Sequence, residues 1–144
     1  MVMQFEAVLA TGHTTAAEHY SVIKTFARES KLLVTHARAT LAGPHLDSQQ
    51  CRELADLGAT IELTAQCCDH VLGHQGKIIA QMIAMNREIG DERCTLSTDC
   101  GWNPEAPRPA PGLKNFLERL RAEGLSEQQL SRMVAENPAR LLAL

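Results

Sequence analysis

Three residues at comparable places carry the chemistry of this sequence: His13, His36 and Asp99. His13 closes the run Leu9-Ala10-Thr11-Gly12-His13, His36 closes Leu33-Val34-Thr35-His36, and Asp99 closes Leu96-Ser97-Thr98-Asp99. Each run is a short apolar stretch ending in a polar group, as a strand does where it leaves a sheet. Two neutral imidazoles and a carboxylate are a suitable ligand set for Zn²⁺ or a similar divalent ion. Each residue also has a plainer role. A lone histidine at a strand end is more often a hydrogen-bonded loop residue, and an aspartate there commonly caps the next turn. Recurrence at equivalent positions is what points to a shared site.

Further candidates lie nearby in sequence. Glu62 falls inside the run Ala59-Thr60-Ile61-Glu62-Leu63-Thr64-Ala65. There it either meets a partner in a barrel interior or stands at an exposed edge, and it is a candidate substrate contact. The loop Cys67-Cys68-Asp69-His70 with His74 holds two histidines spaced by four, as in a helical pair. It has no second cysteine pair at zinc-finger distance, so a mobile loop that touches substrate is the preferred role. His70, His74 and Trp102 are counted with Glu62 as substrate-binding residues.

The elements that must position these groups alternate regularly. The strand runs are Phe5 to Ala10, Lys31 to His36, Ala59 to Ala65 and Cys94 to Asp99. Thr15 and Glu18 form a capping box for a helix from Ala16 to about Glu29, with Ala17, Tyr20, Val22, Ile23 and Phe26 on its buried face. Asp47 and Gly58 bracket a helix from Ser48 to Leu57, and Gly90 ends one from Lys77 to Ile89. After a proline-rich loop come a helix ending at Gly124, a second opened by Ser126 with Gln129, and a last turn from Ala139 to Leu144. Asn137-Pro138 is expected to be the N-cap and first position of that turn. Strand starts recur every 25 to 35 residues, roughly the period of βα units, so a parallel sheet is expected. A small doubly wound sheet and part of a barrel both satisfy this pattern. In either, all C-terminal strand ends share one face, and barrels keep their active sites there.

Composition excludes several classes. The chain has 144 residues, is 44% hydrophobic and 22% charged, and carries a formal net charge of −3. That balance fits one ordinary globular domain and gives no basic field for nucleic acid. Aromatics at 3% leave nothing for base stacking. No apolar run is long enough to span a membrane, and the N-terminus lacks the features of a signal peptide. Five cysteines without a secretory signal indicate reduced thiols and a cytoplasmic location, with Cys51 and Cys94 in the core.

The strand-end runs of His13, His36 and Asp99 resemble strands five, six and eight of the metal-dependent amidohydrolase superfamily. The closing stretch from Gly124-Leu125-Ser126 through Met133 to Asn137-Pro138-Ala139-Arg140-Leu141-Leu142 is similar to that superfamily's ending, and the whole chain resembles the C-terminal part of a little-characterised amidohydrolase-like group. The resemblance implies an α/β fold made of the C-terminal four βα units, strands five to eight, of a (β/α)₈ barrel. It implies one partial barrel domain over residues 1–144. It further implies that His13, His36 and Asp99 bind metal, with Zn²⁺ the first expectation. Asp99 would act as the catalytic residue that takes a proton from the attacking water. A metal-activated water would then cleave an amide, ester or lactone-type bond in a small-molecule substrate. The superfamily's first-strand His-x-His pair and fourth-strand carboxylate or lysine have no counterpart here. Completion is therefore expected from a missing N-terminal half or from self-association, since four open strands leave two unpaired edges. The alternative function is a catalytically silent half-barrel serving assembly or ligand binding. A third possibility, a small doubly wound phosphate binder, is poorly served by the single glycine of Thr11-Gly12-His13.

Overall fold

The computed structural model describes residues 7–27, 30–39, 43–65, 75–101 and 108–143. The first half alternates β1 (Val8–Ala10), α1 (Ala16–Phe26), β2 (Lys31–Val34), α2 (Ser48–Asp56) and β3 (Ala59–Thr64). Then follow α3 (Gln75–Ile89), a 3₁₀ turn (Asp91–Arg93), β4 (Cys94–Ser97), α4 (Pro109–Ala122), α5 (Glu127–Ser131), a π-helical turn (Arg132–Glu136) and α6 (Asn137–Leu142).

The four strands form one parallel sheet in the order β1-β2-β3-β4. This order separates the two architectures that the sequence left open. A doubly wound sheet reverses its strand order at a switch point. Here each strand pairs with the next in sequence, and crossovers of one hand then place every connecting helix on the same side. The sheet is singly wound, as an arc of a barrel is.

Register divides the sheet into two faces. Leu32 pairs with Ala59, Val34 with Ile61, Ile61 with Cys94 and Leu63 with Leu96. These side chains form a buried apolar face joined to Ile23, Leu54, Ile79, Met82 and Met133. Fully burying each such aliphatic side chain contributes about 1.5–3 kcal/mol. The alternate residues point the other way: Leu33, Thr60 and Glu62 are only partly buried, whereas Thr64 and Thr95 are buried.

Local signals set the helix starts. Thr15 with Glu18, Asp47 with Gln50 and Ser126 with Gln129 each form a complete capping box. Cys51 and Cys94 are fully buried as expected, and burial pushes the Cys51 thiol up to about 12 and raises the Cys94 thiol as well. Both are apolar packing residues, unreactive near neutral pH.

Several expectations need correction. Among the described residues the first strand is Val8–Ala10; Phe5 and Glu6 lie outside them. α1 ends at Phe26, and its buried positions are His19 and Ile23, with Ala16, Tyr20 and Phe26 packed alongside, while Ala17 is exposed. The second and fourth strands stop at Val34 and Ser97, so His36 and Asp99 sit in the turns just beyond. Asn137 is not an N-cap. Its backbone is helical, with φ −67° and ψ −45°, and its N–H donates to the Arg132 carbonyl five residues back. The π turn widens the helix immediately before Pro138, whose missing N–H and bulky ring an ordinary turn would not accommodate. The chain therefore passes continuously into α6, which begins two residues earlier than expected.

Candidate metal-binding site at the strand ends

Because the strands are parallel, the segments leaving β1, β2 and β4 emerge at one end of the sheet. Each turns through the left-handed region: Gly12 has φ 67°, His36 φ 49° and Asp99 φ 50°. For residues with a Cβ this conformation is uncommon, although histidine and aspartate tolerate it better than most. His45 and Ala143 adopt it too, so the conformation alone marks no function. At His36 and Asp99 its effect is to turn two chain ends back over the sheet, where the side chains meet.

His36 is held on several sides. Its backbone N–H donates to Glu62 Oε2 at 3.0 Å, and the Ala37 N–H donates to the Glu62 carbonyl at 3.2 Å. Its Nδ1 lies 2.9 Å from Thr64 Oγ1 and 3.5 Å from Glu62 Oε2. A carboxylate beside Nδ1 favours the tautomer protonated there, with Thr64 Oγ1 accepting. The Nε2 lone pair then faces Asp99, whose Oδ2 is 3.7 Å away. The Ser97 hydroxyl reaches Thr64 Oγ1 at 3.4 Å and extends the polar patch to β4. The His13 ring stacks on the His36 ring, with centroids 5.0 Å apart and planes 28° apart.

The structure therefore brings His13, His36, Glu62 and Asp99 together at one end of the sheet. The side chains of His36 and Glu62 are mostly buried, at 12% and 14% exposure, while Asp99 at 38% faces solvent. His70, His74 and Trp102 lie outside the described residues, as does the segment 66–74 of the expected substrate loop. Gly76, the expected end of that loop, belongs to α3.

The donor set fits a divalent ion in part. Two ligands of one tetrahedral ion, each about 2.1 Å from it, stand roughly 3.4 Å apart. The 3.7 Å between His36 Nε2 and Asp99 Oδ2 is close to that spacing. The two partners on Nδ1 are the kind that orient a metal-binding imidazole. Among the described residues, however, no three His, Cys, Asp or Glu side chains converge tightly enough to hold an ion. His13 stacks on His36.

One polar residue behind the site was missed in the sequence. His19 is completely buried in α1, yet both of its ring nitrogens have partners. Nε2 lies 2.9 Å from Thr11 Oγ1; Nδ1 lies 2.7 Å from Thr14 Oγ1 and 3.0 Å from the Thr15 carbonyl. The signal available was the cluster of three threonines, Thr11, Thr14 and Thr15, ahead of a histidine on the buried helix face.

Burial pushes the His19 pKa below its ordinary value, with hydrogen bonding opposing. The consequence for stability has a definite sign. Below about pH 6.5 the unfolded chain takes up a proton at His19 that the folded chain refuses until lower pH. Stability is thus favoured above that pH and falls as the pH drops toward the folded value. Urea midpoints measured from pH 7.5 to 5 should fall more steeply for the parent than for His19→Gln; parallel profiles would reject this.

The solved structures that match this chain share its fold. Residues 1–62 match a family of unknown function (DUF6282). No curated protein matches the chain. Among solved structures, an amidohydrolase from Burkholderia multivorans with bound zinc is similar over 99% of this chain and 55% of its own, at 20% identity and a TM-score of 0.71. The amidohydrolase from that organism with bound HEPES has 19% identity and a TM-score of 0.66, over 99% of this chain and 55% of its own. An apo structure from Agrobacterium tumefaciens has 16% identity and a TM-score of 0.67, over 99% of this chain and 53% of its own. The four-stranded parallel α/β fold of this chain is similar to that of amidohydrolase structures, and the chain spans about half of their length.

Proposed function

We propose that this chain supplies strands five to eight of an amidohydrolase-like barrel and carries part of a metal-dependent hydrolytic centre. The observation that supports it best is His36, gripped by Glu62 and Thr64 on its Nδ1 side and facing Asp99 with Nε2 at 3.7 Å. His36 and Asp99, with His13 as the third candidate, would hold a divalent ion, Zn²⁺ being the first choice for this ligand set. When bound, the ion would lower the pKa of a coordinated water toward neutrality and polarise the scissile carbonyl. Asp99, more exposed than His36 or Glu62, would take the water's proton and pass it to the leaving group. Glu62 and Thr64 would fix the tautomer and direction of His36. His70, His74 and Trp102 remain the candidates for substrate contact. The substrates would be small amides, esters or lactones.

A second reading has its own observation. β1 and β4 are the edges of the sheet, each paired on one side only among the described residues. A half-barrel serving assembly would use these edges against a second copy or against an N-terminal half. Hydrolysis of a panel of aryl esters, lactones and anilides, with and without added Zn²⁺ or Mn²⁺, tests the first reading. Metal-dependent turnover that disappears in Asp99→Asn would support it. A chain inert to every substrate and metal, yet dimeric by sedimentation, would favour the second.

A further inference from the structure

We infer that His19 is a positioning residue for the strand-end site, locking together from inside α1 the two chain segments that present His13 and His36. The inference rests on the metal-site reading above but adds a residue that touches neither the ion nor the substrate.

The hydrogen bonds form a connected chain through the His19 ring. The Thr35 N–H donates to Thr11 Oγ1 at 3.0 Å. The acceptor-only Thr15 carbonyl lies 3.0 Å from His19 Nδ1, which places the ring proton on Nδ1. Nε2 is then the acceptor, and the Thr11 hydroxyl donates to it across 2.9 Å. Thr14 Oγ1, 2.7 Å from Nδ1, shares that proton and lies 3.5 Å from the Thr11 carbonyl, to which it donates weakly. A return link closes the circuit: the Gly12 N–H donates to Thr35 Oγ1 at 3.2 Å.

The place of these links matters. Gly12 immediately precedes His13, and Thr35 immediately precedes His36. β1 and β2 are paired by ladder bonds only as far as Thr11 N–H to the Leu33 carbonyl. Beyond that point the two backbones turn away through Gly12 and His36, and side-chain hydroxyls replace the ladder. His19 is completely buried and satisfied on both nitrogens, so its ring fixes Thr11, and Thr11 fixes Thr35. A structural role alone would require only a well-packed group in that cavity. A positioning role requires an acceptor at Nε2 and a donor at Nδ1.

The test compares the parent with His19→Leu, which packs without polar atoms, and His19→Gln, which retains a donor and an acceptor. Three readouts are taken on the whole chain well below its unfolding temperature. In the parent, long-range ¹H–¹⁵N spectra should show His19 as the Nδ1-protonated tautomer. In His19→Leu, hydrogen exchange at the Thr35 and Gly12 amides should accelerate about tenfold, the scale of one lost hydrogen bond. Amides between β3 and β4 should not change, and His19→Gln should restore part of the protection. Zn²⁺ affinity should fall about 10- to 100-fold in His19→Leu and less in His19→Gln, as for other orienting partners. An Nε2-protonated His19, unaltered exchange at Thr35 and Gly12, or equal affinity in parent and His19→Leu would each overturn the inference. A parent that binds no metal would remove the metal reading and leave the tautomer and exchange results to decide the positioning claim. Should His19→Leu fail to fold, the parent tautomer and the behaviour of His19→Gln decide it.

Discussion

His36→Ala lowers the affinity for Zn²⁺ or Co²⁺ by more than about 100-fold, beyond the roughly 10- to 100-fold that loss of an orienting partner produces. His36 is the residue on which the site converges. It faces Asp99 through Nε2, contacts Thr64 and Glu62 through Nδ1, and stacks on His13. Removing its ring would delete one proposed ligand and leave Glu62 and Thr64 with no imidazole to orient. Thr64→Val and Glu62→Gln keep the ring and disturb only its support, so they should fall within the smaller range. This ordering separates a ligand from a loop histidine, because a loop histidine would matter no more than its neighbours. Calorimetric titration of the three variants with each metal makes the comparison. An affinity for His36→Ala within threefold of the parent would remove His36 from the ligand set.

The uneven legibility of the fold and the site follows from how far each signal reaches along the chain. Capping boxes lie within four residues, so Thr15–Glu18 and Ser126–Gln129 could be read directly and stand in the structure as complete boxes. The βα period fixed parallel strands but not their order. Order depends on which strands meet, and a repeat length is blind to that. His36 and Asp99 were visible because a strand's end lies at a known end of a parallel sheet. The grip of Glu62 on the His36 backbone was not, because it depends on the β2–β3 register, which places Leu33 opposite Thr60. His19 looked like one more residue of α1 because its partner Thr11 comes from the end of a strand eight positions away. Asn137 was misread for the opposite reason. An Asn-Pro pair is a strong local cap signal, and here a tertiary contact prevails over it.

Asn137→Ala destabilises the fold by about 2–4 kcal/mol, and Asn137→Asp costs still more. The Asn137 side chain is 1% exposed. Its Nδ2 donates to the carbonyls of Asp91 and Cys94, at 2.7 and 2.6 Å, and its Oδ1 accepts from Arg140 Nη2 at 2.9 Å. One amide thus ties α6 to the 3₁₀ turn that leads into β4, the strand that leads to Asp99. Alanine removes both amide donors: the buried Cys94 carbonyl loses its side-chain partner, the Asp91 carbonyl keeps the Cys94 N–H, and each lost bond costs roughly 1–3 kcal/mol, with some recovery by relaxation. Aspartate preserves size and shape but reverses the chemistry. It has no donor for either carbonyl, and it brings a carboxylate into a buried site where two acceptors already point. The Arg140 guanidinium stays on the Oδ1 side and compensates in part. Arg132, paired with Asp91 at 2.7 Å, holds the same turn from the π segment, so Arg132→Ala should add to Asn137→Ala less than its own separate cost. Chemical denaturation of the single and double variants measures these differences. An Asn137→Asp chain more stable than Asn137→Ala would show that the amide's donor, placed between the two carbonyls, is not what holds β4 in place.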